Sequence, residues 1–131
     1  GNDISMKDEP DAIRKKLSTA FTDPDRKRRT DPGNPDVCNI FSLHNSFSPE
    51  DQIEMINTEC RSAGIGCVDC KKMLAENMIA EIEPIQSRYH DLVVHPDEAR
   101  DALKSGASRI KSMVIETLDE VRSRLGLRTT V

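Results

Sequence analysis

The chain has 131 residues, enough for one modest hydrophobic core, and it is 32% charged and only 3% aromatic. Its net charge of −4 argues against a protein that binds nucleic acid through the charge of its whole surface. No apolar run approaches the ~20 residues that a membrane-spanning helix needs, and no secretory signal opens the chain. We therefore predict a cytoplasmic helical protein with no membrane partner.

The spacing of apolar residues predicts helices and no convincing strand. A first helix is expected over residues 10–21, because Ile13, Leu17 and Phe21 recur on one helical face. A shorter helix is expected over residues 37–47.

The next helix has start signals in the sequence SPED. Ser48 is expected to cap it, Pro49 suits the first turn and Asp51 has the capping-box position. The sequence AGIG, residues 63–66, ends this helix, and its glycines are expected to provide the left-handed conformation of a helix C-terminus.

Two long helices are predicted after Cys70. The apolar phase of the first survives Pro84, which predicts one kinked helix, and Pro96 and Gly126 bound the second. Because a tight turn joins them, we expect them to pack antiparallel, with the shorter helices against them. The predicted fold class is all-α, an antiparallel bundle of about five helices, as a single domain over residues 1–131. The kinked helix carries its inner face on Leu74, Met78, Ile82, Ile85, Tyr89 and Leu92.

Positive charge is concentrated near the N-terminus, although the whole chain is acidic. Residues 14–29 hold seven basic and two acidic residues, a local excess of five positive charges. Part of this excess lies in the basic loop, residues 22–36, which is rich in proline and aspartate. The loop is predicted either to meet phosphate or to be solvated. Its basic residues are Arg26, Lys27, Arg28 and Arg29.

The four cysteines form the most specific pattern. Cys38, Cys60, Cys67 and Cys70 are separated by gaps of 21, 6 and 2 residues. A Cys-x2-Cys pair lets two thiolates turn toward one ion, and the other two complete a four-thiolate set for zinc or an iron–sulfur cluster. Buried inert thiols and a Cys67–Cys70 disulfide are the alternatives. Reducing cytoplasm disfavours the disulfide.

Four segments, in this order, resemble the C-terminal part of bacterial-type tryptophanyl-tRNA synthetases. No single segment is specific to that family, but their order along nearly the whole chain is. They are IRKKLSTAFTD, DPGNPDVCNIFSLHNSFSPED, GIGCVDCKKMLAENMIAEIEPIQSRYHDL and GASRIKSMVIETLDEVRSRLGL.

The resemblance implies a helical anticodon-binding domain whose partner is the anticodon loop of tRNA. Residues 1–25 would continue from a catalytic Rossmann domain that is absent here. The chain alone is therefore expected not to activate tryptophan, and ATP is expected only in the parent enzyme. The family's dimer contact lies mostly in the catalytic domain, so we expect this fragment to be a monomer and the parent enzyme a homodimer.

The resemblance also favours a cluster over zinc. Some family members hold a 4Fe–4S cluster in this domain with four cysteines at a long, an intermediate and a two-residue gap. Cys38, Cys60, Cys67 and Cys70 match that pattern, with zinc as the alternative.

The candidate tRNA contacts surround the cysteines. Unstacked bases are read by hydrogen bonds and stacking, and with so few aromatics we expect basic residues to dominate. We hypothesise that the cluster folds the cysteine segment, residues 60–72, into a platform that holds Lys71 and Lys72 toward the anticodon; an ordinary solvated helix turn is the alternative. His44 could face the cysteine site or lie at the surface, and the surface position is expected. The candidate tRNA-binding residues are Arg26, Lys27, Arg28, Arg29, Arg61, Lys71 and Lys72.

Two other functions remain open at the level of sequence. A stand-alone iron–sulfur or zinc protein would use the cysteines for redox chemistry or structure. A purely structural helical bundle would keep them as free thiols.

Overall fold

The structure, a computed structural model, describes residues 3–127, and within that range it contains five α-helices, one short 3-10 helix and no strand. This confirms the predicted all-α class and helical bundle. Gly1, Asn2 and residues 128–131 of the predicted domain lie outside the described residues. The 3-10 helix spans Pro35–Val37, and helices α1 to α5 span Pro10–Thr19, Asn39–Phe47, Glu50–Arg61, Cys67–Val94 and Pro96–Arg124.

The chain divides into two compact units, Gly1–Ser87 and Arg88–Val131. Unit 1 contains α1, α2, α3 and the first part of α4. Unit 2 contains the end of α4 and all of α5. Whether both units belong to one domain, as predicted, stays a prediction.

The core of unit 1 is built from one apolar face of each of its helices. Ile13 and Leu17 of α1 are buried as predicted, because they lie four residues apart on the same face. Phe21 is not on that face: α1 ends at Thr19, Ala20 is extended, and the Phe21 side chain is 72% exposed. That part of the prediction is wrong. The other buried core residues are Ile40, Ile56, Cys70, Leu74, Ala75, Met78 and Ile82.

Both ends of α3 differ from the predicted chemistry. Its N-cap is Pro49, with no side-chain cap, because the Ser48 hydroxyl is bonded elsewhere. At its C-terminus the left-handed residue is Ala63, with φ of 60°, and neither Gly64 nor Gly66 has a positive φ. The Ala63 N–H donates to the Cys60 carbonyl at 3.2 Å, which closes the last turn.

Helix α4 runs through Pro84 without a break, which confirms one helix in place of two. Its burial ends earlier than predicted: Ile82 is buried, whereas Ile85 is 50% and Tyr89 40% exposed. The predicted inner face is therefore wrong at Ile85 and Tyr89, whereas Leu92 is half-buried.

Helix α5 begins at Pro96 and ends before Gly126, as predicted. Gly126 has a φ of 68°, and the Leu127 N–H donates to the Arg122 carbonyl at 2.8 Å, which is the Schellman arrangement. No residue of α5 is buried. None of the helices among residues 3–127 is both long and apolar enough to cross a membrane.

Candidate functional site

The four cysteines meet at one small cavity in unit 1. Cys38 caps the start of α2, Cys60 lies in the last turn of α3, and Cys67 and Cys70 lie one turn apart at the start of α4. All four are free thiols, so the structure has no Cys67–Cys70 disulfide. Residues 22 to 65 supply the remaining walls: Thr22, Arg26, Ile40, Phe41, Ile56 and Ile65.

The basic loop approaches Cys60 at Gly33. A Cβ atom at Gly33 would lie 2.6 Å from the Cys60 sulfur, closer than real Cβ atoms come. The Gly33 N–H also donates to the Cys60 carbonyl at 2.9 Å. Glycine is therefore required here by close approach.

Arg26 connects the basic loop to the cysteine segment. Its guanidinium donates to the Ile65 carbonyl at 2.8 Å and the Arg29 carbonyl at 3.0 Å, and one nitrogen lies 3.7 Å from the Cys60 sulfur. Arg29 in turn donates to the carbonyls of Ala63 and Gly64. Two of the four loop cations thus fix the backbone that carries the cysteines.

A buried carboxylate, which the sequence analysis did not identify, orders the same loop. Asp23 accepts hydrogen bonds from the backbone N–H of Asn34 at 2.7 Å and of Asp25 at 2.9 Å. These bonds hold the pKa of Asp23 below its ordinary value. The carboxylate stays ionised and connects the beginning of the loop to Asn34 near its end.

Burial favours the protonated thiol at Cys60 and Cys70. It raises the pKa of Cys70 to about 12, and the neighbouring cysteines add to the effect. The pKa of Cys60 is raised for the same main reason, against the opposing charge of Arg26. Thiols of this kind are poor nucleophiles, and a thiolate here requires a cation to replace its proton.

His44 is fully buried beside Cys70, so the expectation of a surface residue is wrong. Its Nδ1 lies 2.6 Å from the Ser48 hydroxyl, and its Nε2 lies 3.2 Å from the Cys70 carbonyl and 3.4 Å from the Cys70 sulfur. Burial lowers the pKa of His44. The spacing of Ile40 and His44, one helical turn apart, is the sequence signal that identifies this position.

The two predicted metal centres, a zinc ion and an iron–sulfur cluster, place different demands on the cysteines. Within residues 3–127, no three His, Cys, Asp or Glu side chains lie close enough together to hold a single metal ion. A tetrahedral zinc site, with Zn–S bonds of about 2.3 Å, demands that close approach, whereas a cluster accepts a wider thiolate set. Among the described residues, four thiols and no carboxylate line the cavity, and the Arg26 guanidinium lies at one sulfur. These groups are chemically compatible with an anionic iron–thiolate group.

The remaining candidate tRNA contacts differ in how they are used within the fold. Arg61 pairs with Asp36 at 2.7 Å, and Lys71 donates to the Ser18 carbonyl at 3.0 Å. Lys27 donates to the Pro24 carbonyl. Arg28 and Lys72 make no side-chain hydrogen bond or ion pair to any residue from 3 to 127.

Comparison with known proteins gives consistent matches. The family described as tRNA synthetases class I (W and Y) matches residues 1–83. The chain is 46% identical over 126 residues to a tryptophan–tRNA ligase of Deinococcus radiodurans, a match that covers 96% of the chain and 38% of that relative. It is 37% identical over 127 residues to the tryptophan–tRNA ligase of Ralstonia nicotianae, covering 97% of the chain and 32% of that protein.

A solved structure supports the fold. The crystal structure of tryptophanyl-tRNA synthetase from Campylobacter jejuni matches with a TM-score of 0.80 at 22% identity, and the match covers 95% of this chain and 40% of that one. The chain thus spans 38% or less of the two relatives named above.

Proposed function

We propose, since this chain belongs to the class I tRNA synthetase family of the tryptophan and tyrosine enzymes, that it is the anticodon-binding part of a tryptophan–tRNA ligase. The 46% identity over nearly the whole chain supports the tryptophan enzyme. Because the chain spans 38% of that relative, we assign tryptophan activation and ATP use to a longer, homodimeric protein with a separate catalytic domain. The 131-residue chain is proposed to be an inactive monomer of the cytoplasm.

The cavity lined by four cysteines is the observation that carries the cofactor proposal. Cys38, Cys60, Cys67 and Cys70 would hold a 4Fe–4S cluster, which supplies iron–thiolate bonds between the starts of α2 and α4 and the end of α3. Zinc, held by the same four thiolates, is the second possibility.

The chain's own residues prepare this site. Arg26 places a positive charge at the Cys60 sulfur, which favours a thiolate there. Gly33 allows the basic loop to lie against the same sulfur. His44 contacts the Cys70 sulfur and carbonyl and so orients the start of α4.

The proposed recognition surface adjoins the cysteine segment. Loop bases of RNA are read by hydrogen bonds and by stacking on aromatic or guanidinium planes. Fixing residues 60–72 limits the positions that Lys71 and Lys72 can take and lowers the entropic cost of binding. The proposed tRNA-binding residues are Arg26, Lys27, Arg28, Arg29, Arg61, Lys71 and Lys72.

Iron and sulfide analysis of anaerobically purified protein tests the cofactor. We expect about four of each per chain. Cys38→Ser should lose most of the iron, while the control Ser62→Ala, an exposed serine beside Cys60, should keep it. Zinc at one per chain, or neither metal, would contradict the cluster.

Binding of a tryptophan tRNA transcript tests the function. We expect binding that weakens when the anticodon is altered, because the anticodon bases are the proposed ligand. Arg28→Ala should weaken binding about tenfold, the loss of one good contact. Equal affinity for tRNAs with different anticodons would contradict the anticodon-binding role, and unchanged affinity after metal removal would contradict the platform.

A further inference from the structure

A groove between α1 and α4 lies apart from the cysteine cavity. Its volume is about 390 Å³, within the range of ligand-binding clefts. The exposed Val68 and the buried Ala75 give it an apolar floor. The rest of its lining is polar and mostly cationic: Arg14, Lys15, Ser18, Lys71, Lys72 and Glu76.

The groove concentrates positive charge in an acidic chain. Four lining residues are basic and one is acidic, a net charge of +3, against −4 for the whole chain. Asp11, which also pairs with Arg14 at 3.0 Å, reduces this to +2. The local excess is what an anionic partner requires.

Two of the four basic side chains of the groove make hydrogen bonds or ion pairs within the chain. Arg14 forms a two-point pair with Glu76, at 2.8 and 3.0 Å, and this pair joins α1 to α4. Hydrogen bonding to Glu76 raises the pKa of Arg14, and the same bond lowers the pKa of Glu76. Lys71 donates to the Ser18 carbonyl at 3.0 Å. These contacts shape the groove.

The other two cations are available. Lys15 and Lys72 are exposed, and neither ammonium has an ion pair or hydrogen bond with the described part of the chain. They belong to different helices, so the groove lies between them. A lysine ammonium is a mobile point charge, which suits phosphate contact without fixed geometry.

We propose that this basic groove binds the phosphodiester backbone of the tRNA anticodon arm, with Lys15 and Lys72 as the phosphate contacts. The inference rests on the proposed function, which makes tRNA the ligand. Val68 offers apolar surface to a ribose. The contact is independent of base sequence, because phosphate contacts position an RNA without reading it.

The test is a salt titration of tRNA binding by the chain and its Lys15→Ala/Lys72→Ala variant. Each lost phosphate contact lowers the slope of log K against log salt by about 0.7 to 1, so the double variant should lose about 1.4 to 2. The loss should be the same for tRNAs with the native and an altered anticodon. Circular-dichroism melting confirms that the variant folds, and Lys104→Ala/Lys111→Ala in α5 is the control for lost charge.

The possible outcomes distinguish a failure of the groove proposal from a failure of the proposed function on which it rests. A chain that binds no tRNA overturns both. If the chain binds tRNA but the double variant and the α5 control have equal salt slopes, the groove proposal is overturned and the proposed function stands. A loss limited to the native anticodon contradicts a backbone contact. If the double variant binds tRNA as the original chain does but no longer binds polyglutamate, the proposal is overturned. The partner of the groove is then an acidic protein and not RNA.

Discussion

Units 1 and 2 carry similar sequence patterns but differ in burial. In unit 1, Leu74, Met78 and Ile82 of α4 repeat at helical spacing and are at most 3% exposed. In unit 2, Leu103 and Ile110 of α5 repeat at the same kind of spacing and are 75% and 55% exposed. The spacing of apolar residues predicted both helices. Whether an apolar helix face is buried depends on the other elements that pack against it.

The two units also differ in their polar contacts. Unit 1 has long-range contacts, such as Arg14 to Glu76 and Asn77 to Ser48 at 2.7 Å. Helix α5 carries short-range ion pairs along its own surface, each of which is worth about 0.2–0.5 kcal/mol. Unit 1 therefore depends on its tertiary packing more than α5 does. The pairs within α5 are Asp97–Arg100, Asp101–Lys104, Asp119–Arg122 and Glu120–Arg124, and one further pair joins Glu98 of α5 to Arg88 at the end of α4 at 3.2 Å.

Leucine truncation gives the largest expected difference between the units. Leu74→Ala should lower the free energy of unfolding by about 2–5 kcal/mol, because it removes fully buried methyl groups and leaves a cavity. Leu103→Ala should change it by less than about 0.5 kcal/mol, because that side chain is exposed. Urea denaturation measures both values. Equal losses would mean that α5 buries Leu103 in solution.

Glycine replacement should have opposite signs in the two units. Gly33→Ala should destabilise by about 1–3 kcal/mol, because its Cβ overlaps the Cys60 sulfur. Gly106→Ala should stabilise by about 0.5–1 kcal/mol, because it lies inside α5 and its Cβ would meet nothing within 4 Å. Thermal melts of the two variants measure the signs. Stabilisation by Gly33→Ala would show that the loop and Cys60 move apart freely.

The pH dependence should come from unit 1. His44 has a lowered pKa in the folded state, so unfolding takes up a proton between that value and about 6.5. Stability should fall as pH drops below about 6.5, by at most about 1.4 kcal/mol per pH unit. Urea titrations between pH 7 and 5.5 measure this slope. The exposed-site control His90→Gln should keep it, whereas a flat wild-type profile would contradict a neutral buried His44.

The sequence determined the local structure well. Apolar spacing, Pro96 and Gly126 fixed the helices and their ends to within a few residues, because these signals act through neighbouring backbone groups. The four-cysteine pattern identified residues that do line one cavity. The prediction of the α3 cap was wrong, because residues outside the helix compete for the same hydroxyl group. The Ser48 hydroxyl contacts His44 and Asn77, and α3 therefore lacks its predicted side-chain cap.

The tertiary structure decided which faces are buried and which charges remain available. Burial of His44 beside Cys70 joins residues 26 positions apart, and the contact of Gly33 with Cys60 joins residues 27 apart. Nothing in local propensity encodes such distances. For the same reason seven similar basic residues could not be ranked from the sequence: Arg26 and Arg29 bind backbone carbonyls, while Lys72 makes no hydrogen bond or ion pair with residues 3–127. A side chain's contacts depend on what the fold brings beside it, and only the packed chain specifies that.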